Sequence, residues 1–140
     1  MKAQYLVSII VHVEVCDQKL KGDLAKLNSF LIKNYNSFEI IITGNGLNTS
    51  EFNSLKEIIS KLYNIRALGF TSKVSYETAI MAGIESSIGD YALIWNIGTK
   101  PLQLINEFVN KNIKVDGFVV GEDDSNMRLE FESYSYLYST

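Results

Sequence analysis

Hydrophobic residues alternate along the chain between short continuous runs and stretches with helical spacing. The first run, residues 5–13 (YLVSIIVHV), is rich in β-branched residues and predicts a strand buried on both faces. Leucines then recur every three or four residues from Leu20 to Leu31, which predicts an amphipathic helix. A second apolar run at residues 38–43 (FEIIIT) predicts another buried strand, and Asn48 is suited to cap the helix that follows it.

The same alternation continues to residue 120. Residues 65–68, 91–95 and 115–120 predict three further strands, with helices between them that begin near Ser75 and Pro101. The order βαβαβαβαβ predicts an α/β fold of Rossmann type, with a mostly parallel sheet and helices on both faces. Because ligands of such sheets bind beyond the carboxyl ends of the strands, we expect function in the loops there. These loops comprise residues 12–17, 43–50, 69–75, 95–100 and 121–126.

The last part of the chain has a different pattern. Residues 122–132 include five acidic residues and one arginine. Met127, Leu129 and Phe131 alternate with charged or polar residues there, and Tyr134, Tyr136 and Tyr138 then alternate with serine or leucine. This alternation predicts an edge strand or hairpin with one apolar face. That strand either folds onto the same domain or, through residues 127–138, pairs with a second copy or with further sequence. We therefore predict one domain over residues 1–140, with a core at 5–121 and a tail at 122–140.

Composition and charge exclude several classes of protein. The 140 residues are 46% hydrophobic with one proline, which is typical of a folded domain, and the net charge of −3 argues against a nucleic-acid partner. His12 and Cys16 are the only residues of their types, so a multi-histidine zinc site, a CxxC site and an internal disulfide are excluded. A helix start can lower the pKa of a thiol such as Cys16, but no histidine–acid pair accompanies it, so a catalytic thiol is not predicted. No transmembrane segment or signal peptide is recognisable, and we expect a cytoplasmic protein.

Four segments in sequence resemble one enzyme family. They read SIIV at residues 8–11, EIII at 39–42 followed by GNG at 44–46, TAIMAGIESSIGDYALIW at 78–95, and VDGFVVG at 115–121. In order and spacing they resemble the family 2 glycosyltransferases, and the last resembles polyprenyl-phosphate sugar transferases. The resemblance implies the nucleotide-sugar-binding half of a GT-A fold, a donor of the UDP or GDP type, and a role in glycan biosynthesis.

The chain departs from that family at the positions where the family binds its metal ion and the base of the nucleotide. The acidic pair expected after the second strand is Gly44-Asn45, and the D-x-D motif is Asn96-Ile97-Gly98. Neither residues 41–49 nor residues 92–105 contain a carboxylate, and Mg²⁺ and Mn²⁺ require carboxylate oxygens. We therefore expect no cofactor and no metal site, and the acceptor-binding half with its catalytic base also lacks a counterpart here. The resemblance thus implies a degenerate and truncated member, impaired as a catalyst, or the N-terminal part of a larger enzyme.

The candidate nucleotide-binding residues are the polar and glycine positions of these loops: His12, Glu14, Asn45, Gly46, Lys73, Asn96 and Lys100. Lys73 and Lys100 either bind the diphosphate in place of a metal or are solvated loop charges. His12 either contacts a nucleobase or is an ordinary polar residue at the strand end whose hydrogen bonds are satisfied within the protein. Catalytic residues are not assigned.

The remaining candidates also have two interpretations each. Glu14 and Asp17 either form a displaced carboxylate pair or solvate and cap the first helix. Asn45-Gly46 either contacts a ligand through backbone amides or only forms a turn. Asn96 can hydrogen-bond a ribose or phosphate, but its neutral amide cannot replace a carboxylate as a charged metal ligand.

Three functions remain open from the sequence. The first is a family 2 glycosyltransferase-like domain that is catalytically impaired. The second is an active, metal-independent transferase, and the third is a non-enzymatic α/β interaction module. A phosphoacceptor receiver would need an aspartate at the end of the third strand, where the chain has Leu68-Gly69-Phe70. Walker and GxGxxG loops are absent, which excludes the commonest NTPase and dinucleotide sites.

Overall fold

The computed structural model of the protein describes the backbone of residues 3–114 and 119–120 and the side chains of residues 5–110. Within these residues, strands and helices alternate in the predicted order. They are β1 (Ala3–Val13), α1 (Gln18–Asn34), β2 (Tyr35–Gly44), α2 (Thr49–Ser60), β3 (Ile65–Gly69), α3 (Tyr76–Ser86), β4 (Tyr91–Ile94), α4 (Gln103–Lys114) and β5 (Val119–Val120).

The strands form one sheet in the order β3-β2-β1-β4-β5, and every neighbouring pair is parallel. Strand β1 is central and pairs with β2 without interruption from Val7 to Val13. Strands β2 and β3 lie on one side of β1, and the later strands β4 and β5 lie on the other side. The direction in which successive strands are placed therefore reverses between β1 and β4. The α/β class and the parallel, Rossmann-like sheet predicted from the sequence are confirmed, and the reversal marks the edge where such folds bind ligands.

Helices cover both faces of the sheet because the side chains of β1 alternate between them. Val7, Ile9, Val11 and Val13 join the leucines of α1, together with Leu55 of α2 and Phe108 of α4, in one core. Ile10 faces the other way and packs with Ile80 and Ile84 of α3. If every crossover were right-handed, α4 would lie on the same face of the sheet as α3. Phe108 of α4 instead packs in the same core as the leucines of α1, so α4 lies on the α1 face. Each fully buried leucine or isoleucine in these layers contributes about 1.5–3 kcal/mol, whereas an exposed ion pair typically contributes at most about 1 kcal/mol.

Two residues show how closely the helices approach the sheet. A Cβ atom added to Gly83 of α3 would lie 2.8 Å from Ile10 Cγ2, so the small residue allows the helix to contact β1 directly. On the opposite face, the Trp95 ring packs edge-to-face against Phe108 with centroids 6.4 Å apart. The Trp95 indole is 2% exposed, and its N–H has no hydrogen-bond partner among the described residues.

The predicted helix starts are confirmed by their caps. Asp17 Oδ1 accepts a hydrogen bond from the Leu20 amide at 2.9 Å, so the capping interpretation of Asp17 holds. Asn48 and Glu51 form a reciprocal capping box at α2. Ser75 caps α3 by accepting from the Thr78 amide at 3.1 Å.

Some boundaries differ from the prediction. β2 begins at Tyr35, directly after α1, because no glycine or proline separates the two elements. Pro101 precedes α4 by two residues, and its carbonyl accepts from the Leu104 amide in a tight turn that leads into the helix. Helix α3 ends at Ser86, before Gly89.

Several sequence predictions lie outside the described residues. Residues 115–118 of the fifth predicted strand and the tail from 121 onwards are among them, so the edge strand or hairpin and the self-association through residues 127–138 stay predictions. Within the described part, no helix combines the length and the apolar character needed to cross a bilayer.

Candidate functional site

Five of the seven candidate residues come together at the carboxyl ends of β1 and β2. We call His12, Glu14, Asn45, Gly46 and Lys73 the edge cluster. His12 is the last β1 residue facing α3, Asn45 and Gly46 directly follow β2, and Lys73 lies in the loop before α3. Parallel strands end at one edge of a sheet, which is why residues distant in sequence meet there.

His12 is the most enclosed member of the cluster, with a side chain that is 9% exposed. Its Nδ1 shares a hydrogen bond of 2.9 Å with the Thr43 hydroxyl, and its Nε2 lies 3.4 Å from Glu14 Oε1. The Tyr76 ring packs edge-on against the imidazole at a centroid distance of 4.8 Å. These contacts fix the ring and leave its Nε2 side directed towards the solvent-exposed Glu14.

Lys73 is the cation of the edge cluster. Its Nζ lies 4.0 Å from Glu14 Oε1, and the two side chains are 65% and 51% exposed. An ion pair this long and this solvated contributes at most about 1 kcal/mol. The Lys73 ammonium can therefore leave Glu14 and bind an anion of higher charge, such as a phosphate, with little loss of stability.

Gly46 lies under the Lys73 side chain. Its φ is +74°, which a residue with a Cβ adopts only with strain, and an added Cβ would lie 3.3 Å from Lys73 Cδ. Glycine therefore permits both the turn after β2 and the close passage of the lysine stem over its backbone.

Asn45 is a structural clamp within the cluster. It is 1% exposed, and its amide donates to the Val74 carbonyl at 2.8 Å and accepts from the Val74 amide at 3.0 Å. Its own N–H donates to the Val13 carbonyl at 2.9 Å. The Asn45 side chain thus joins the end of β2 to the loop that carries Lys73, and it positions that lysine.

Asn96 and Lys100 belong to a separate loop, between β4 and α4. The exposed Asn96 accepts a hydrogen bond from the Thr99 hydroxyl through its backbone carbonyl at 2.8 Å. This loop passes over the start of α1, since a Cβ added to Gly98 would lie 2.5 Å from Asp23 Oδ2. Asp23 pairs with Lys19 at 3.5 Å. The β4–α4 loop has no carboxylate of its own, but it lies against the Asp23 carboxylate of α1. No spacing in the sequence indicates this contact.

The edge cluster contains one carboxylate and one imidazole. Within the described ranges, no group of three or more histidine, cysteine, aspartate or glutamate side chains is close enough to hold a metal ion. Cys16 lies nearby at the end of the β1 loop, half-buried. Burial raises the pKa of its thiol, and the negative charges of Glu51 and Asp17 raise it further. The thiol is thus protonated at neutral pH, which argues against a nucleophilic role.

No protein-family model matches the chain, and no curated protein matches it significantly. The resemblance to family 2 glycosyltransferases therefore stays a prediction, and the site is interpreted from its own geometry.

Sequence reasoning missed a second polar cluster. Glu39, in the middle of β2, is buried, and its Oε2 accepts from the Ser8 hydroxyl at 2.5 Å and from the Ile88 amide at 2.7 Å. Its Oε1 accepts from Arg66 Nη2 at 3.3 Å. A lone glutamate within a run of isoleucines was the available signal, because a buried carboxylate must find donors.

Proposed function

We propose that this chain is a family 2 glycosyltransferase-like domain of glycan biosynthesis that holds a nucleotide sugar without a metal ion and is impaired in sugar transfer. The observation that carries the proposal is the convergence of Lys73 and His12 beside Gly46 at the carboxyl edge of a Rossmann-like sheet. The loops at residues 41–49 and 92–105 supply no carboxylate.

The arrangement of the segments behind the resemblance supports this proposal. SIIV (residues 8–11) and EIII (39–42) lie on the adjacent strands β1 and β2 in exact register, with Ser8 opposite Glu39. The long segment at 78–95 covers most of α3 and all of β4, which pairs with β1 on its other side. These segments therefore surround the reversal of strand order, where α/β folds bind nucleotides.

The side chains of the edge cluster are suited to binding more than to catalysis. The Lys73 ammonium can bind a phosphate oxygen as a point charge, and His12 can present Nε2 to a base or a phosphate. A divalent metal would bring twice the charge and would stabilise the departing diphosphate directly. One exposed lysine, partly neutralised by Glu14, provides much less of that stabilisation, so we expect weak binding and slow or no transfer.

The test is thermal unfolding with UDP, GDP and their sugars, each with Mn²⁺ and with a chelator. A ligand present at about 100 times its Kd stabilises the folded state by about 2.7 kcal/mol, which moves the Tm by several degrees at this size. We expect stabilisation that does not depend on the metal, that Lys73→Gln removes, and that Lys26→Gln on the exposed surface of α1 retains.

Three other results would contradict this proposal or favour a different function. A shift that requires Mn²⁺ would contradict the metal-independent site and would direct attention to Glu14 and Asp23. No shift with any nucleotide would contradict nucleotide binding and favour the interaction module. A metal-independent shift accompanied by hydrolysis of the nucleotide sugar would favour the active, metal-independent transferase, because Lys73 would then suffice for the leaving group.

A further inference from the structure

Glu14 lies at the centre of the edge cluster, because both basic side chains of the cluster approach the same carboxylate oxygen. His12 Nε2 lies 3.4 Å from Glu14 Oε1, and Lys73 Nζ lies 4.0 Å from that atom. These side chains come from two segments that are about sixty positions apart in the sequence. The position of this oxygen is therefore the point on which the basic groups of the edge cluster converge.

The hydrogen bonding of His12 makes its Nε2 a donor towards this point. An ionised carboxylate only accepts hydrogen bonds, so the contact with Glu14 requires the proton to be on Nε2. Nδ1 of the neutral ring then accepts from the Thr43 hydroxyl, at 2.9 Å. The Nε2–H of His12 and the ammonium of Lys73 are thus two donors beside one anionic oxygen, which is the environment that a phosphate oxygen requires.

The stem of Lys73 is held in place independently of Glu14. A Cβ added to Gly46 would lie 3.3–3.8 Å from Cδ, Cγ and Cε of Lys73. Three consecutive carbons of the lysine therefore follow the glycine backbone, while Asn45 holds the loop on which the lysine lies. The ammonium consequently stays near the same point when the Glu14 carboxylate moves away.

Glu14 differs from the neighbouring carboxylates in having no role at a helix start. Asp17 accepts from the Leu20 amide at 2.9 Å, and Glu51 accepts from the Asn48 amide at 3.4 Å. Within the described part of the chain, Glu14 bonds only to the side chains of His12 and Lys73, and it is 51% exposed. Its carboxylate can therefore turn into solvent without the loss of a helix cap.

We propose that Glu14 is a displaceable internal anion, which occupies the phosphate position of the edge cluster and must leave before a diphosphate binds there. The inference rests on the proposed function, because it concerns the same site. A bound diphosphate replaces Glu14 beside Lys73 and His12, and the displaced carboxylate still repels it. Glu14 thus lowers the affinity of the site for its ligand, and the phosphates rather than the base or the sugar contact the two basic side chains.

The experiment compares the full chain with Glu14→Gln. Each protein is titrated with inorganic pyrophosphate and with UDP, in the presence of a chelator and at constant ionic strength because salt screens exposed charges. The amide signals of Gly46 and Lys73 in heteronuclear NMR report the binding. Glu14→Gln should bind both ligands about tenfold more tightly, because the ion pair no longer competes and the repulsion is removed.

Two further variants test whether the gain comes from the charge at this position. Glu57→Gln removes the same charge from the exposed surface of α2 and should bind pyrophosphate as the unmodified chain does. When Lys73→Gln is present, adding Glu14→Gln should raise the affinity by about twofold or less, because no ion pair remains to be released. The Tm of Glu14→Gln should lie within about 3 °C of the unmodified chain, since an exposed pair contributes little to stability.

Equal or weaker binding of pyrophosphate by Glu14→Gln would overturn the inference, because Glu14 would then orient the basic groups rather than compete with the ligand. If UDP still binds the unmodified chain in that case, the proposed function stands without the inference. Tighter pyrophosphate binding by the variant, without UDP binding by either protein, would support the inference and contradict nucleotide binding. No pyrophosphate binding by either protein up to about 10 mM would also overturn the inference.

Discussion

The Ser8 hydroxyl donates a hydrogen bond of 2.5 Å to the Glu39 carboxylate, across the two neighbouring strands at the centre of the sheet. The same carboxylate also accepts from Ile88 in the loop before β4 and from Arg66 of β3. One buried charge thus connects β1, β2, β3 and the α3–β4 loop, and its burial is compensated by three donors rather than by one partner.

Replacing Glu39 by glutamine should lower the free energy of unfolding by about 2–3 kcal/mol. The variant loses the charge that strengthens these hydrogen bonds, and an amide NH₂ would face a donor. Urea denaturation measures the loss, and Glu57→Gln on the exposed surface of α2 is the control. Equal stability of the two variants would contradict a structural role for the Glu39 network.

Asn45→Ala tests the clamp between β2 and the Lys73 loop. Removing the side chain leaves the Val74 amide and carbonyl without their partner, and we expect a loss of about 1–3 kcal/mol. Nucleotide binding by the edge cluster should weaken as well, since Lys73 loses its support. Asn53→Ala, at an exposed position in α2, should change neither quantity. A variant with full stability and full affinity would show that the clamp is dispensable.

Two glycine-to-alanine substitutions should have effects of opposite sign. At Gly46, with φ +74° and the Lys73 stem 3.3 Å from the added Cβ, alanine should destabilise by about 1–2 kcal/mol. At Gly22, within α1, nothing lies within 4 Å of an added Cβ, so alanine should stabilise by about 0.5–1 kcal/mol. Thermal and urea unfolding of both variants provide the comparison. A Gly46→Ala protein as stable as the Gly22→Ala protein would contradict the strained turn.

Tyr35 should make stability fall at alkaline pH. Burial raises the pKa of its phenol to about 12, and the hydroxyl donates to Asn106 Oδ1 at 2.7 Å. The phenol of the unfolded chain ionises near pH 10, so the unfolded state loses its proton first. The contribution of Tyr35 is therefore complete below about pH 10 and is lost as the pH rises to about 12. Tyr35→Phe should remove this part of the pH dependence in urea unfolding. An identical alkaline slope in that variant would contradict the assignment.

Local chemistry explains which parts of the fold could be predicted. Asp17, Asn48 and Ser75 were recognisable as helix caps because a cap contacts an amide only two or three positions away. The alternation of strands and helices followed from the apolar runs and the helical spacing, and the parallel sheet followed from that alternation. By contrast, the immediate passage from α1 into β2 at Tyr35 has no turn residue to mark it.

The candidate site was predictable only in part. Loop position alone was enough to nominate the five residues of the edge cluster, because parallel strands end together. The pairing of Asn45 with Val74, and the approach of Asp23 to Gly98, join positions that are 29 and 75 residues apart and depend on how helices pack. Glu39 was not identified as the centre of a polar cluster, because the apolar run around it indicates burial but does not show which donors surround it.

The position of Trp95 gives the protein an intrinsic optical reporter. It is the single tryptophan of the chain, it directly follows β4, and it is enclosed against Phe108 of α4. Its emission in the native state should therefore be blue-shifted, and it should move to the red when α4 separates from the sheet. Circular dichroism follows all the helices at once. Coincident transitions by the two methods would mean that the α4 side and the α2–β3 side of β1 unfold as one cooperative unit. A fluorescence transition that precedes the circular-dichroism transition would mean that α4 opens first.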